Sequence, residues 1–140
     1  MVFVANEAVI IELGIDGGRP VSRIVANGTS ISKGTLCKLS EGNVALASDS
    51  ISFSPFAGIA SATKIAGDGA TTLACYTTGV FDLTNSGVGA MTTGDLCVMS
   101  GANLIAKATG AGQILSGYVV GKVEEDASTS EVVRVRLLGL

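Results

Sequence analysis

The chain has 140 residues, a formal net charge of −3, 15% charged residues and 47% hydrophobic residues, of which few are aromatic. Its 9 basic residues are scattered, so no phosphate-binding surface for nucleic acid is expected, and no apolar run approaches the roughly 20 residues of a membrane-spanning helix. The absence of histidine from the sequence excludes nucleophile activation by imidazole and imidazole-based metal sites.

Residues 1–24 form the first predicted unit and differ from the rest of the chain. The apolar run over residues 9–13 predicts a strand, with a short helix over residues 6–13 as the alternative, and a breaker-rich loop follows over residues 14–20. We interpret this unit as an N-terminal arm or an additional edge strand. Because the first residues lack a basic region, no signal peptide is predicted.

From Val25 onward, short apolar runs alternate with turn signals, which is typical of an all-β sandwich or barrel. Glycines recur too often for a helix after residue 14. The predicted strands span residues 36–39, 44–47, 56–62, 71–78, 80–83, 96–99, 104–107, 114–123 and 131–138.

The chain also repeats itself at a spacing of about 60 residues. The aligned pairs are Gly34/Gly94, Leu36/Leu96, Cys37/Cys97, Ser40/Ser100 and Asn43/Asn103, with further matches of Gly58 to Gly117 and Gly79 to Gly139. Such a repeat predicts two similar β-units that share one core, because neither can bury its apolar face alone. We expect units of about 25–83 and 86–140, which together form a single compact β-barrel or sandwich domain over residues 25–140.

The remaining reactive side chains favour structural roles. Cys37 and Cys97 occupy equivalent positions, and we expect both, like Cys75, to be small buried hydrophobic residues rather than nucleophiles. The total of 3 cysteines is odd and includes no Cys-x-x-Cys pair, which indicates reduced thiols in a cytosolic setting. The acidic run at residues 124–126 is expected at the solvated tip of a hairpin. We therefore predict no catalytic residue, no cofactor and no metal site.

Arg134 and Arg136 lie in the last predicted strand, where they alternate with apolar residues. Because successive strand residues face opposite sides, the two arginines share one face and Val133, Val135 and Leu137 share the other. The arginine face is either solvated or pairs with carboxylates of a neighbouring subunit, to which the planar guanidinium is well suited.

Four segments of the second half occur in a distinctive order: Gly79-Val80-Phe81-Asp82-Leu83, Thr93-Gly94-Asp95-Leu96-Cys97-Val98, Ile114-Leu115-Ser116-Gly117-Tyr118-Val119-Val120 and Val132-Val133-Arg134-Val135-Arg136-Leu137. In motif and spacing they resemble the small capsid cement, or head decoration, proteins of tailed bacteriophages. Residues 28–66 fit this family more loosely, and residues 1–24 do not match it.

The resemblance implies a structural virion protein without enzymatic activity. Made in the host cytoplasm, it would bind the major capsid protein on the outer surface of an icosahedral head, as a homotrimer, and stabilise the expanded shell. The candidate contacts with the capsid or between subunits are Val2, Phe3, Val4, Arg19, Arg134 and Arg136. A small ligand-binding β-barrel is the alternative function. An enzyme that uses carboxylates alone, such as Asp82 and Asp95, is not favoured by their spacing.

Overall fold

The computed structural model describes residues 7–12, 20–40, 44–48, 55–86, 89–109 and 118–138. Within this part of the chain the regular structure is entirely β, and no helix is long and apolar enough to cross a membrane. The strands are β1 (Val9–Glu12), β2 (Val21–Ile24), β3 (Leu36–Ser40), β4 (Val44–Ala47), β5 (Phe56–Ala60), β6 (Thr72–Tyr76), β7 (Thr78–Asn85), β8 (Leu96–Met99), β9 (Leu104–Lys107), β10 (Val119–Val123) and β11 (Val132–Leu138).

Strands β2 to β6 close into the first barrel, in the order β2-β4-β3-β5-β6. All neighbours are antiparallel except β2 and β4, whose parallel pairing at Ile24 and Val44 closes the barrel. The second barrel has the order β7-β11-β10-β8-β9 and closes through a parallel pairing of β7 with β9 at Thr84 and Leu104. The predicted all-β class and the two pseudo-repeated units are therefore confirmed, and each unit is a barrel.

The pairings also define which residues are equivalent in the two barrels. Gly34 and Gly94 both adopt a positive φ, of 87° and 97°, and donate their N–H groups to Ala60 and Val123 respectively. Cys37 lies opposite Gly58, as Cys97 lies opposite Gly121. Gly58 is thus equivalent to Gly121, and the predicted match of Gly58 to Gly117 was wrong, because glycine identity alone carries no information on strand register.

The strands divide between the barrels slightly earlier than the predicted units of 25–83 and 86–140. Residues 21–24 already belong to the first barrel, and β7, which begins at Thr78, opens the second. Strand β1 lies outside both barrels and pairs with β7 as an additional edge strand.

The two barrels share a core. Leu36, Phe56 and Ile59 of the first barrel belong to the same buried cluster as Phe81 and the interior of the second. Asn103 joins the barrels by hydrogen bonds: its Oδ1 accepts from the Leu36 N–H at 2.9 Å, and its own N–H donates to the Ser48 hydroxyl at 2.9 Å. Because residues of both barrels are buried in one cluster, the two repeats pack together as one body.

Candidate contact surface

Strand β11 presents two chemically distinct faces. Val133, Val135 and Leu137 point into the second barrel and are buried, whereas Val132 and Leu138 are 58% and 40% exposed on the other side. Arg134 and Arg136 lie between these two apolar residues on the outward side, as the alternation in the sequence predicts. We call this row of residues 132, 134, 136 and 138 the outer face.

The two arginines of the outer face differ in their partners. Arg136 donates from Nε to Glu124 Oε2 at 3.0 Å across the β10–β11 hairpin. The Arg134 backbone N–H donates to Glu125 Oε1 at 2.9 Å, but its guanidinium has no ion pair or hydrogen bond within the described residues. Asp82 lies directly opposite Arg134 in register without forming a salt bridge to it. Arg134 is therefore the arginine available to a partner.

Strand β1 extends this surface. Val9 lies opposite Asp82, so Val9, Asp82 and Arg134 form a row across β1, β7 and β11. Val9, Ile10 and Ile11 are 58%, 37% and 42% exposed, and β1 pairs only with β7 among the described strands. An exposed apolar edge strand is a ready site for pairing with another chain.

A cleft of about 520 Å³ lies beneath β1, between the barrels. Its walls are mostly apolar and include Ile59, Tyr76 and Phe81, with Lys33 and Thr63 also contributing. The Ala8 N–H donates to the Gly34 carbonyl at 2.7 Å, which fixes the segment that runs over the cleft. The Tyr76 and Phe81 rings, one from each barrel, lie 5.8 Å apart.

A second groove of about 410 Å³ lies on the second barrel, where Thr93, Gly94, Lys122, Glu124 and Arg136 contribute to its walls. It is more polar and more open than the cleft. Lys122 is exposed and has no ion pair within the described residues. The space around Gly94 is empty, since a Cβ built there meets nothing within 4 Å.

Two exposed aspartates, Asp126 and Asp68, accept hydrogen bonds. Asp126 accepts from the Thr93 N–H at 2.8 Å and from the Thr93 hydroxyl at 3.0 Å, and these bonds lower the pKa of Asp126. Asp68 accepts at 2.8 Å from Lys64, whose side chain is buried, and this bond lowers the pKa of Asp68. The residues predicted at a solvated hairpin tip are exposed, and in addition they order the surface through hydrogen bonds.

The cysteines are buried, in agreement with their predicted role as small hydrophobic residues. Burial raises the pKa of Cys97 to about 12, which suppresses the thiolate. Within the described part of the chain no three His, Cys, Asp or Glu residues come together as a metal site would require.

The structure brings only part of the predicted site together. Arg134 and Arg136 share the outer face, whereas Val2, Phe3, Val4 and Arg19 lie outside the described residues. Val9 and the groove at Gly94 were not among the predicted contacts. The exposed apolar run of β1 was a usable signal in the sequence, but the groove depends on strand pairing that no local pattern encodes.

The described strands form two fused β-barrels, and the outer face of β11 is exposed. The model of the phage cement protein family matches residues 15–137. The chain belongs to the phage cement protein family, which gives it a structural, capsid-associated role in the virion.

A search of solved structures finds a similar fold in the head fiber gp8.5 N base of bacteriophage phi29. The TM-score is 0.52 at 14% sequence identity, over 85% of this chain and 92% of the phage protein. No curated protein matches the sequence.

Proposed function

We propose that this protein binds the outer surface of an icosahedral phage head, contacts the major capsid protein there, and stabilises the expanded shell. Family membership supports the capsid association. The observation that carries the finer proposal is the outer face of β11, on which the Arg134 guanidinium, without a partner among the described residues, lies beside the exposed Val132.

The chemistry of the outer face favours an acidic, partly apolar partner. A guanidinium can bind a carboxylate through two parallel hydrogen bonds, which fixes geometry as well as adding energy. The apolar flanks exclude water from such a pair and so strengthen it. A strand of the capsid protein with alternating carboxylate and aliphatic side chains has the complementary pattern.

We further propose that three copies assemble on the head. Around a threefold axis each copy makes a heterologous contact with the next, and the ring closes without open growth. Three linked outer faces bind more tightly than one through their effective concentration. The N-terminal residues Val2, Phe3 and Val4, with Arg19, remain candidate contacts in this assembly, in which an arm adds a strand to a sheet edge of the capsid protein.

Stabilisation follows from mass action. A protein that binds the expanded shell and not its dissociated subunits stabilises the shell by RT ln(1 + [L]/Kd), or about 2.7 kcal/mol per site at a concentration of 100 Kd. With many sites per head, the gain summed over the lattice opposes the pressure of packaged DNA.

A ligand-binding role is the second candidate, because the cleft beneath β1 lies in the 300–1,000 Å³ range of small-molecule pockets, at about 520 Å³. Its mostly apolar wall suits a hydrophobic ligand. Isothermal titration of the purified chain with apolar probes, and loss of the heat in a variant with Val9→Asp at the exposed side of the cleft, would support this role.

Co-sedimentation with empty heads of the source phage, before and after expansion, tests the proposed function. We expect the protein to pellet with expanded heads only, with saturation near one copy per capsid subunit. Absence of pelleting with either form would contradict the capsid role proposed here.

A matched pair of variants tests the outer face itself. Val132 and Thr72 are equivalent positions in the two barrels, since they lie opposite Thr84 and Ile24 respectively, and both are exposed. Val132→Glu and Thr72→Glu make the same charge change. We expect at least a tenfold weaker binding for Val132→Glu and little change for Thr72→Glu; equal binding by the two variants would exclude the outer face.

A further inference from the structure

The cleft and the groove occupy equivalent places on the two barrels. Gly34, Ile59 and Tyr76 at the cleft correspond to Gly94, Lys122 and Arg136 at the groove, because the strand pairings Ile59↔Tyr76 and Lys122↔Arg136 coincide in the repeat. The internal repeat therefore places an equivalent surface depression on each barrel: the cleft at Gly34 on the first barrel and the groove at Gly94 on the second.

The version on the first barrel is already covered by the chain itself. The Ala8 N–H donates to the Gly34 carbonyl at 2.7 Å, and a Cβ built at Gly34 would lie 3.0 Å from the Ala8 oxygen. Ile59 is 1% exposed, and Tyr76 packs against the shared core. An extended backbone and the second barrel thus close over this feature.

The version on the second barrel is open. Gly94 has the same positive φ as Gly34 but no neighbour within 4 Å of an added Cβ. Ile59 is replaced by the exposed Lys122, and Tyr76 is replaced by Arg136, whose side chain is 53% exposed. The groove keeps the backbone geometry that receives an extended segment. Its wall is charged instead of apolar: Lys122 and Arg136 lie there together with Glu124, which binds Arg136, so Lys122 carries a positive charge that no ion pair within the described residues balances.

We infer that the groove at Gly94 binds an extended, carboxylate-bearing segment of the capsid protein, in the way that residues 7–9 lie over Gly34 in the first barrel. A backbone N–H of the segment donates to the Gly94 carbonyl, and a carboxylate of the segment pairs with Lys122, because Arg136 already binds Glu124. The charge of the groove decides against a copy of the chain's own apolar β1. This inference deepens the proposed function and rests on it.

Site-specific photo-crosslinking tests the occupant. A benzophenone amino acid replaces Thr93, which is exposed at the groove, or Thr72, which lies on the other barrel, and each protein is bound to expanded heads and irradiated. We expect a cross-link from position 93 to an acidic segment of the capsid protein, and none from position 72. A cross-link from position 93 to a second copy of this chain, or its absence while the protein still pellets, would overturn the inference.

Charge variants provide the second readout. Lys122→Glu is expected to weaken binding to expanded heads at least tenfold, whereas Thr72→Glu leaves it unchanged. If neither this pair nor the unaltered protein pellets, the proposed function itself fails. If the unaltered protein pellets and Lys122→Glu pellets equally well, the groove is excluded as the binding site, and the proposed capsid role is not affected.

A separate observation concerns the thiols of the first barrel. Cys37 on β3 and Cys75 on β6 are fully buried in one core cluster, where their S–H groups donate to the carbonyls of Thr35 and Leu73. The neighbouring Cys75 and burial together raise the pKa of Cys37. Gly58 on the intervening strand β5 lies opposite Cys37, and a Cβ there would be 2.7 Å from the Cβ of Cys75. The glycine thus permits the close approach of β6.

We propose that a peroxide oxidises Cys37 and Cys75 to a disulfide across the interior of the first barrel. The Cys75 sulfur attacks hydrogen peroxide, the O–O bond breaks, and sulfenic acid and water form; the Cys37 sulfur then displaces the hydroxyl as a second water. The neighbouring Cys37 thiol and the charge of Arg23 lower the pKa of Cys75, which favours it as the attacking thiol. In the second barrel the position of Cys75 is occupied by Val135, so Cys97 has no equivalent thiol partner there.

Intact-mass measurement of the folded, peroxide-treated chain tests this second proposal. We expect a loss of about 2 Da, one remaining thiol at Cys97, and a rise in Tm on the order of 10 °C. Cys97→Ala should retain the mass loss, and Cys75→Val, which copies the second barrel, should abolish it. Three free thiols after treatment, oxygen addition without a disulfide, or a cross-link through Cys97 would overturn the proposal.

Discussion

Replacing Gly121 with alanine should strongly destabilise the second barrel. A Cβ at this position would lie 2.2 Å from the Arg136 carbonyl oxygen and 2.8 Å from Cγ1 of Val135. Ordinary contacts between such atoms require more than about 3.4 Å, so the Arg136 carbonyl must move by about 1 Å. That carbonyl belongs to the pairing of β10 with β11, so the shift disturbs the hydrogen bonds between the two strands.

The magnitude follows from two contributions. Overpacking of a close-packed interior costs about 1–3 kcal/mol, and each disrupted backbone hydrogen bond adds about 1 kcal/mol. The smaller unfolded-state entropy of alanine offsets about 0.4–1 kcal/mol. We therefore expect Gly121→Ala to lower the free energy of unfolding by about 3 kcal/mol, a large part of the 5–15 kcal/mol typical of a domain.

Urea unfolding followed by far-UV circular dichroism measures this loss. Gly28→Ala is the control, because a Cβ at Gly28 meets nothing within 4 Å, and we expect its free energy of unfolding to stay within about 1 kcal/mol of the unaltered chain. A Gly121→Ala protein whose midpoint equals that of Gly28→Ala, with an unchanged slope, would refute the steric reasoning.

Three further predictions concern stability. Gly58→Ala should lower the free energy of unfolding at least as much as Gly121→Ala, because a φ of 131° adds backbone strain to a contact of 2.7 Å with the Cys75 Cβ. Urea unfolding measures this loss, and an unchanged free energy of unfolding would contradict the close approach of β6 to Gly58. Asn103→Ala should lower the free energy of unfolding by about 2–4 kcal/mol, because it removes the acceptor of the buried Leu36 N–H and places alanine at a φ of 59°. A loss below about 1 kcal/mol would argue against a stabilising contact between the barrels at Asn103. Asp68 and Asp126 have folded-state pKa values below the ordinary 3.8, so the stability that they contribute is fully present above that pH and is lost as the pH falls through the folded-state values. In thermal unfolding measured against pH, a variant with both residues changed to Asn should lose less stability in acid than the unaltered chain. An equal loss of stability in acid would contradict this assignment.

The repeat was predictable where it rests on local backbone chemistry. Gly34 and Gly94 both need a positive φ at the entry to a strand, so the same residue recurs at the same place. The predicted match of Gly58 to Gly117 is wrong, because Gly58 is equivalent to Gly121 only through strand pairing: Gly58 lies opposite Cys37, and Gly121 lies opposite Cys97. Strand β2 escaped prediction because three of its four residues are exposed and it shows no alternation.

The candidate site was predictable to a similar extent. Alternation in β11 identified a face that carries Arg134 and Arg136, since a two-residue period is a local property. That Arg136 is held by Glu124 while Arg134 is available depends on the hairpin geometry and was not predictable. The groove at Gly94 becomes visible only when the two barrels are compared position by position.

The two barrels bury equivalent surfaces to different extents. In the first barrel, Leu36, Ile59 and Tyr76 lie in a row across β3, β5 and β6 and pack against the second barrel. The equivalent row of the second barrel, Leu96, Lys122 and Arg136, is more exposed. An apolar row there would be an aggregation hazard, whereas a cationic row stays soluble and selects an acidic partner through charge complementarity. Under our proposal, the surface that joins the two repeats within the chain is therefore equivalent to the surface that binds the capsid protein.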